Sequence, residues 1–145
     1  MNTVWKSKGF ARVCAWSFAA TLATGSTLVA AETMKVELTG AQESPPVQTS
    51  GAAGNGSITI NDDGSVTGSV TATGFTPTAA HIHEGKSGCK SKVIVPFTKN
   101  GDTFSAPAGA KLTPDQMKSF KEGDLYVNIH SAAHPGGEVC AQLKP

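Results

Sequence analysis

The stretch "GSITINDDGSVTGSVTATGF", residues 56–75, constrains the fold more than any other part of the chain. Ile58 and Ile60 fall on one face of an extended segment, and Val66 and Val70 repeat that alternation beyond the turn signal "NDDG". A period of two with β-branched residues on one side is a strand pattern, and two such runs about a tight turn make a hairpin. The same signal recurs along the chain. "MKVELTG" alternates before Gly40, "AAHIHE" and "KVIVPFT" are short strands, and "GDTFSAP" follows a turn at "KNGD". "LYVNIH" and "EVCAQL" come last. Strands at this spacing, rich in Gly and Thr, predict an all-β, antiparallel two-layer sandwich or barrel. Ile58, Ile60, Ile82, Val127 and Ile129 are its expected core.

One helix is expected, over residues 114–121. Thr113 can cap it, Pro114 suits the first helical position and Gln116 completes a capping box. Leu112 and Met117 occupy the staple positions, and Gly123 provides a stop. "GAQESPPVQTSGAAGNG" reads as an ordered connection between the first strand and the hairpin, because too few residues precede it to form a separate domain.

The first 31 residues read differently. Lys6, Lys8 and Arg12 precede an apolar run that thins into small residues ending "VAA", the pattern of a cleaved signal peptide, with cleavage placed after Ala31 or Ala30. The uninterrupted apolar core is too short for a bilayer span of about 20 residues. Residues 32–145 are then a single exported domain, periplasmic or secreted, without a membrane anchor. That domain retains nine of the 12 basic residues and all 11 acidic ones, a net charge of −2, and it contains no arginine. Nucleic-acid binding is set aside on this ground, since phosphate and base contacts lean on Arg and on basic patches.

Two of the three cysteines, Cys89 and Cys140, lie beyond the signal segment. An even count in an exported domain predicts a Cys89–Cys140 disulfide. It would close a loop of about 50 residues, worth at most about 4 kcal/mol in the chain-entropy view. It would also bring together the segments "AAHIHEGKSGC" and "NIHSAAHPGGEVC", which hold all four histidines.

His81 and His83 project from one face of a strand, with Ile82 on the other. His130 ends "LYVNIH", and the turn "SAAHPGG" can fold His134 back toward it. The expectation is one divalent-metal site made by His81, His83, His130 and His134. Asn128 and Glu138 are expected as outer-shell support, and Glu84 as a further candidate ligand or partner for a ring N–H. Imidazole suits Zn(II), Cu(II), Ni(II) and Fe, and the scarcity of soft ligands favours a divalent ion, copper or zinc, over Cu(I). No Ser-His-Asp or Cys-His nucleophile arrangement stands out. Four protein ligands would leave no open position for a substrate, so a binding, delivery or storage role is expected rather than an enzyme.

"LTGAQESPPVQTSGAAGNGSITI", "AAHIHEG" and "GDLYVNIHSAAHPGGEVCAQL" resemble the start, middle and end of a CHRD (chordin-type) domain, over about residues 36–143. The family pattern falls on Gly40, Ala41, Gln42, Glu43, Pro45 and Pro46. It continues on His81, Ile82 and His83, then on Asn128, His130, His134, Pro135, Gly136, Gly137 and Glu138. The resemblance implies an immunoglobulin-like β-sandwich and, by analogy with chordin, an extracytoplasmic protein partner. That partner role is the alternative reading, with the histidines bracing loops. Many members carry an arginine where Cys140 stands, a departure that fits a local disulfide. "HIHEGKSGC" is also similar to a segment of copper–zinc superoxide dismutase. Four histidines cannot fill both metal sites of that enzyme, and its active-site arginine has no counterpart, so dismutase chemistry is not expected.

Overall fold

The computed structural model describes residues 30–87 and 91–145. The expected signal peptide, with Cys14, and Cys89 with its two neighbours lie outside the described residues.

Among the described residues there are nine strands and one α-helix, and the strands follow the alternation closely. The strands are β1 (Ala31–Thr39), β2 (Ala53–Asn61), β3 (Val66–Thr73), β4 (Pro77–Glu84), β5 (Val93–Pro96), β6 (Thr98–Asn100), β7 (Thr103–Ser105), β8 (Leu125–Ser131) and β9 (Val139–Leu143). The helix α1 is Pro114–Lys121. All strand pairings are antiparallel, in one sheet of order β5-β4-β8-β9-β1-β2-β3-β7-β6. The all-β antiparallel expectation holds.

The β2–β3 hairpin pairs Ile60 with Val66 and Ile58 with Gly68. Its turn closes through the Gly64 N–H to the Asn61 carbonyl, 2.8 Å. Gly64 has φ +84°, a left-handed conformation that glycine adopts without strain.

The two outermost strands of the sheet, β5 and β6, are consecutive in the chain with only Phe97 between them. Phe97 N–H donates to the Ala80 carbonyl on β4, 3.0 Å, while β6 pairs with β7. Together β5 and β6 act as one bent strand between β4 and β7, so the sheet curls round until its ends meet. One apolar cluster fills the interior, with contributions from Leu38, Ile58, Val70, Ile82, Val95, Phe104, Val127 and Leu143. The five expected core residues are all at most 1% exposed.

The helix forms as its cap predicts. Thr113 Oγ1 accepts from the Gln116 N–H and Gln116 Oε1 accepts from the Thr113 N–H, so both halves of the capping box are made. Leu112 and Phe120 are buried, which fixes the helix against the barrel wall.

Alternation leaves the outer face of β4, β8 and β9 polar. Tyr126, Asn128 and His130 on β8 stand opposite His83, His81 and Ala79 on β4. On the other side, Tyr126 and Asn128 face Gln142 and Cys140 on β9. This face is nevertheless largely covered, because two connections lie across it. In the 40–52 connection, the Val47 N–H folds back to the Gly40 carbonyl, 2.9 Å, and Glu43 is only 8% exposed. The connection after β4 is tied down by Lys86 to Asp124, by Ser87 Oγ to the Gln42 carbonyl and by Ser91 Oγ to Tyr126 Oη.

Candidate metal centre

Three of the four histidines come together on this covered outer face. His81, His83 and His130 each offer a ring nitrogen, and the three nitrogens lie within 4.8 Å of one another. His81 Nδ1 and His130 Nε2 are 3.0 Å apart. The ring centroids of His81 stand 5.6 Å from His83 and 4.8 Å from His130.

The other nitrogens set the orientation of the rings. His83 Nδ1 is 2.9 Å from the Ser91 carbonyl, and His130 Nδ1 is 2.9 Å from the Pro135 carbonyl. A carbonyl only accepts, so both Nδ1 atoms carry the proton and both Nε2 atoms keep a lone pair. His83 Nε2 is buried and has no hydrogen-bond partner among the described residues. A ring fixed through one nitrogen with the other left as a bare donor is the usual preparation of a histidine for a metal. Tyr126 stacks flat on His83, with centroids 4.9 Å apart and planes 5° from parallel.

Burial keeps His81 and His130 neutral. Burial, reinforced by His130 and His83, pushes the His81 imidazole down to about 4. Burial also lowers His130, with a further push from His83, although the Pro135 carbonyl partly opposes it. Neutral imidazole is the ligating form, so these nitrogens are in the required state at neutral pH.

The fourth histidine is elsewhere. His134 Nδ1 is 2.7 Å from Glu138 Oε2, and its backbone N–H donates to Ser131 Oγ. The turn does fold His134 back, but onto the carboxylate, and the four-histidine cluster is corrected to three. Glu138 is 1% exposed and also accepts from Ser131 Oγ, 2.6 Å. Burial would raise its carboxyl, but hydrogen bonds from Ser131, Thr49 and His134 outweigh it and hold Glu138 below the usual carboxylate range. Glu138 therefore orients His134 and bonds to none of the three clustered rings. Glu84 accepts from Ser119 Oγ, 2.7 Å, and lies off the histidine face. Asn128, in contrast, is cross-strand partner to His81 and is 1% exposed.

Cys140 is buried on the same face, with Sγ 2.8 Å from Ser87 Oγ. Its expected partner Cys89 lies outside the described residues. Sequence reasoning passed over Glu43 as a site residue in its own right. Burial raises its carboxyl, partly offset by a hydrogen bond with Cys140 and reinforced by the nearby Glu138 charge. A carboxylate inside a Pro-rich connection gave one signal, its place in the "GAQESPP" run.

An antiparallel β-barrel whose outer wall carries a covered histidine trio is the class that fold and site define. The chain matches the CHRD domain family over residues 34–143 and belongs to it. No curated protein and no solved structure shows a significant match to the chain. CHRD domains are domains of the extracellular type, and among the described residues no helix is long and apolar enough to cross a membrane.

Proposed function

We propose that this CHRD-domain protein is exported and binds one divalent ion, copper or zinc, through His81, His83 and His130, in binding, delivery or storage. The observation that carries the reading is the convergence of three ring nitrogens within 4.8 Å, two of the rings already held by loop carbonyls. Two nitrogens each about 2.05 Å from an ion stand about 2.9 Å apart at a right angle and about 3.3 Å apart in a tetrahedron. The 3.0 Å between His81 and His130 falls between these, so either ion fits that pair without rebuilding the backbone. Three protein nitrogens leave room for at least one further ligand.

The test is titration of protein recovered after export with Cu(II) and with Zn(II). Tyr126 is the single tyrosine and both tryptophans, Trp5 and Trp16, fall in the segment read as the signal peptide. Tyr126 emission is therefore a built-in reporter beside His83, quenched by Cu(II) and left bright by Zn(II). Replacing His83 or His130 by Ala is expected to weaken binding by at least tenfold, whereas His134→Ala leaves it within about twofold.

A second reading has one observation in its favour: His83 and His130 each pin a loop, through Ser91 and Pro135. On that reading the histidines brace the surface of a domain that binds an extracytoplasmic protein. A variant lacking all three histidines that binds both ions as well as the wild type would establish it in place of the metal site.

A further inference from the structure

The three histidines surround a fourth donor. His81 pairs across the strands with Asn128, while His83 pairs two residues to one side, with Tyr126, and His130 two residues to the other, with Ala79. His83 and His130 thus stand about 13 Å apart along the sheet, at about 3.3 Å per residue. Their ring centroids are only 6.1 Å apart. The rings are thus drawn together along the sheet, across the level at which His81 and Asn128 face each other.

Asn128 lies on the same outer face, flanked by His81 on β4 and Cys140 on β9. It is 1% exposed, and its Oδ1 is buried without a hydrogen-bond partner among the described residues. His83 Nε2 is in the same condition. Both atoms are acceptors. Two buried acceptors on adjoining positions, neither supplied with a donor, cost about 1–3 kcal/mol each unless something electropositive meets them both. Most buried polar atoms in native proteins are satisfied, so the coincidence points to a ligand.

We propose that Asn128 Oδ1 is the fourth protein ligand, completing a three-nitrogen, one-oxygen site for a divalent ion. The proposal rests on the three-histidine reading and deepens it. The amide oxygen adds no charge, so the site keeps the full positive charge of the ion inside a covered face. A neutral, mixed nitrogen–oxygen set suits Cu(II) or Zn(II) and gives Cu(I), which prefers sulfur, no advantage.

The experiment compares wild type, Asn128→Leu, Asn128→Asp and His130→Ala in the full chain, with Cu(II) and Zn(II) alone as probes. Affinity is read by calorimetry, coordination by the electron paramagnetic resonance of the Cu(II) form, and the fold by melting of the metal-free protein. If Asn128 ligates, Asn128→Leu weakens both ions by about 10–100-fold and changes the copper hyperfine coupling. It leaves metal-free melting unchanged or raised, since it removes an unsatisfied polar atom. Asn128→Asp restores an oxygen donor and binds at least as tightly as wild type. Asn128→Leu with affinity within twofold of wild type and an unchanged copper spectrum overturns the proposal. So does weakened affinity with an unchanged spectrum, which would place the amide behind a bridging water. In either case, loss of binding by His130→Ala leaves the three-histidine reading standing. Undiminished binding by His130→Ala removes both.

Discussion

Acid should loosen the metal-free protein through His81 before it protonates most carboxylates. The folded-state value of about 4 lies below the ordinary 6.5 of an unfolded histidine, because burial and two neighbouring imidazoles oppose the charge. Between those values the unfolded chain takes up a proton that the folded chain refuses. Stability contributed by the neutral ring is therefore complete above about pH 6.5 and is lost as pH falls toward about 4. From pH 6.5 to 5 the full linkage is about 2 kcal/mol, at about 1.36 kcal/mol per pH unit. The ring is only partly buried, so solvent screening reduces this to about 1 kcal/mol. At an m-value of about 1–2 kcal/mol/M, the urea midpoint should drop by roughly 0.5–1 M. Other groups also respond to acid, His130 with the same sign as His81 because burial lowers it too. Burial raises Glu43, which favours folding in acid, and hydrogen bonds lower Glu138, which disfavours it. The decisive quantity is therefore a difference: urea midpoints at pH 7 and pH 5 for wild type and for His81→Gln, both with a chelator present. The variant should lose about 1 kcal/mol less than wild type. Equal losses would refute the reasoning, because the acid sensitivity would then come from groups other than His81.

Three further outcomes are expected. Ile82→Ala, at a position with no exposure between two site histidines, should cost about 2–5 kcal/mol in chemical denaturation. Thr113→Ala removes the Oγ1 half of the capping box at α1 and leaves the backbone half, so it should cost about 1 kcal/mol, seen as a lower melting temperature with metal affinity unchanged. Gly137→Ala should be strongly destabilising: φ is +142° and a Cβ there would meet the Glu43 carboxyl at 2.4 Å. Pairing it with Glu43→Ala should recover part of the loss in melting temperature, since the obstacle is that side chain.

Much of this was legible in the sequence, for a physical reason. Strand alternation is a local signal, and it placed Ile58, Ile60, Ile82, Val127 and Ile129 inward and His81, His83 and His130 outward without knowledge of the sheet order. Capping chemistry is equally local, and the span of α1 follows from Thr113, Pro114 and Gln116. Closure of the sheet was not legible in this way. It depends on Phe97 bonding to Ala80, a contact between segments whose individual patterns say nothing about their pairing. The fate of His134 turned on a competition. The sequence showed a turn that folds it back and a carboxylate four residues on, but not which neighbour its ring would find first. Glu138 does so, already ordered by Ser131. Glu43 was hard to see because its burial comes from the connection folding over β9, and polar residues in Pro-rich segments ordinarily face water.

The bent strand formed by β5 and β6 has a bearing on how other molecules can approach. An open sheet offers its last strand as a template, and many peptide ligands attach by extending it with main-chain hydrogen bonds. Here the sheet's first and last strands are one continuous piece of chain, so the two ends of the strand order are tied to each other at Phe97. Any partner that grips the connection after β4 would also be feeling, through Ser91, whether the His83 ring beneath it has moved.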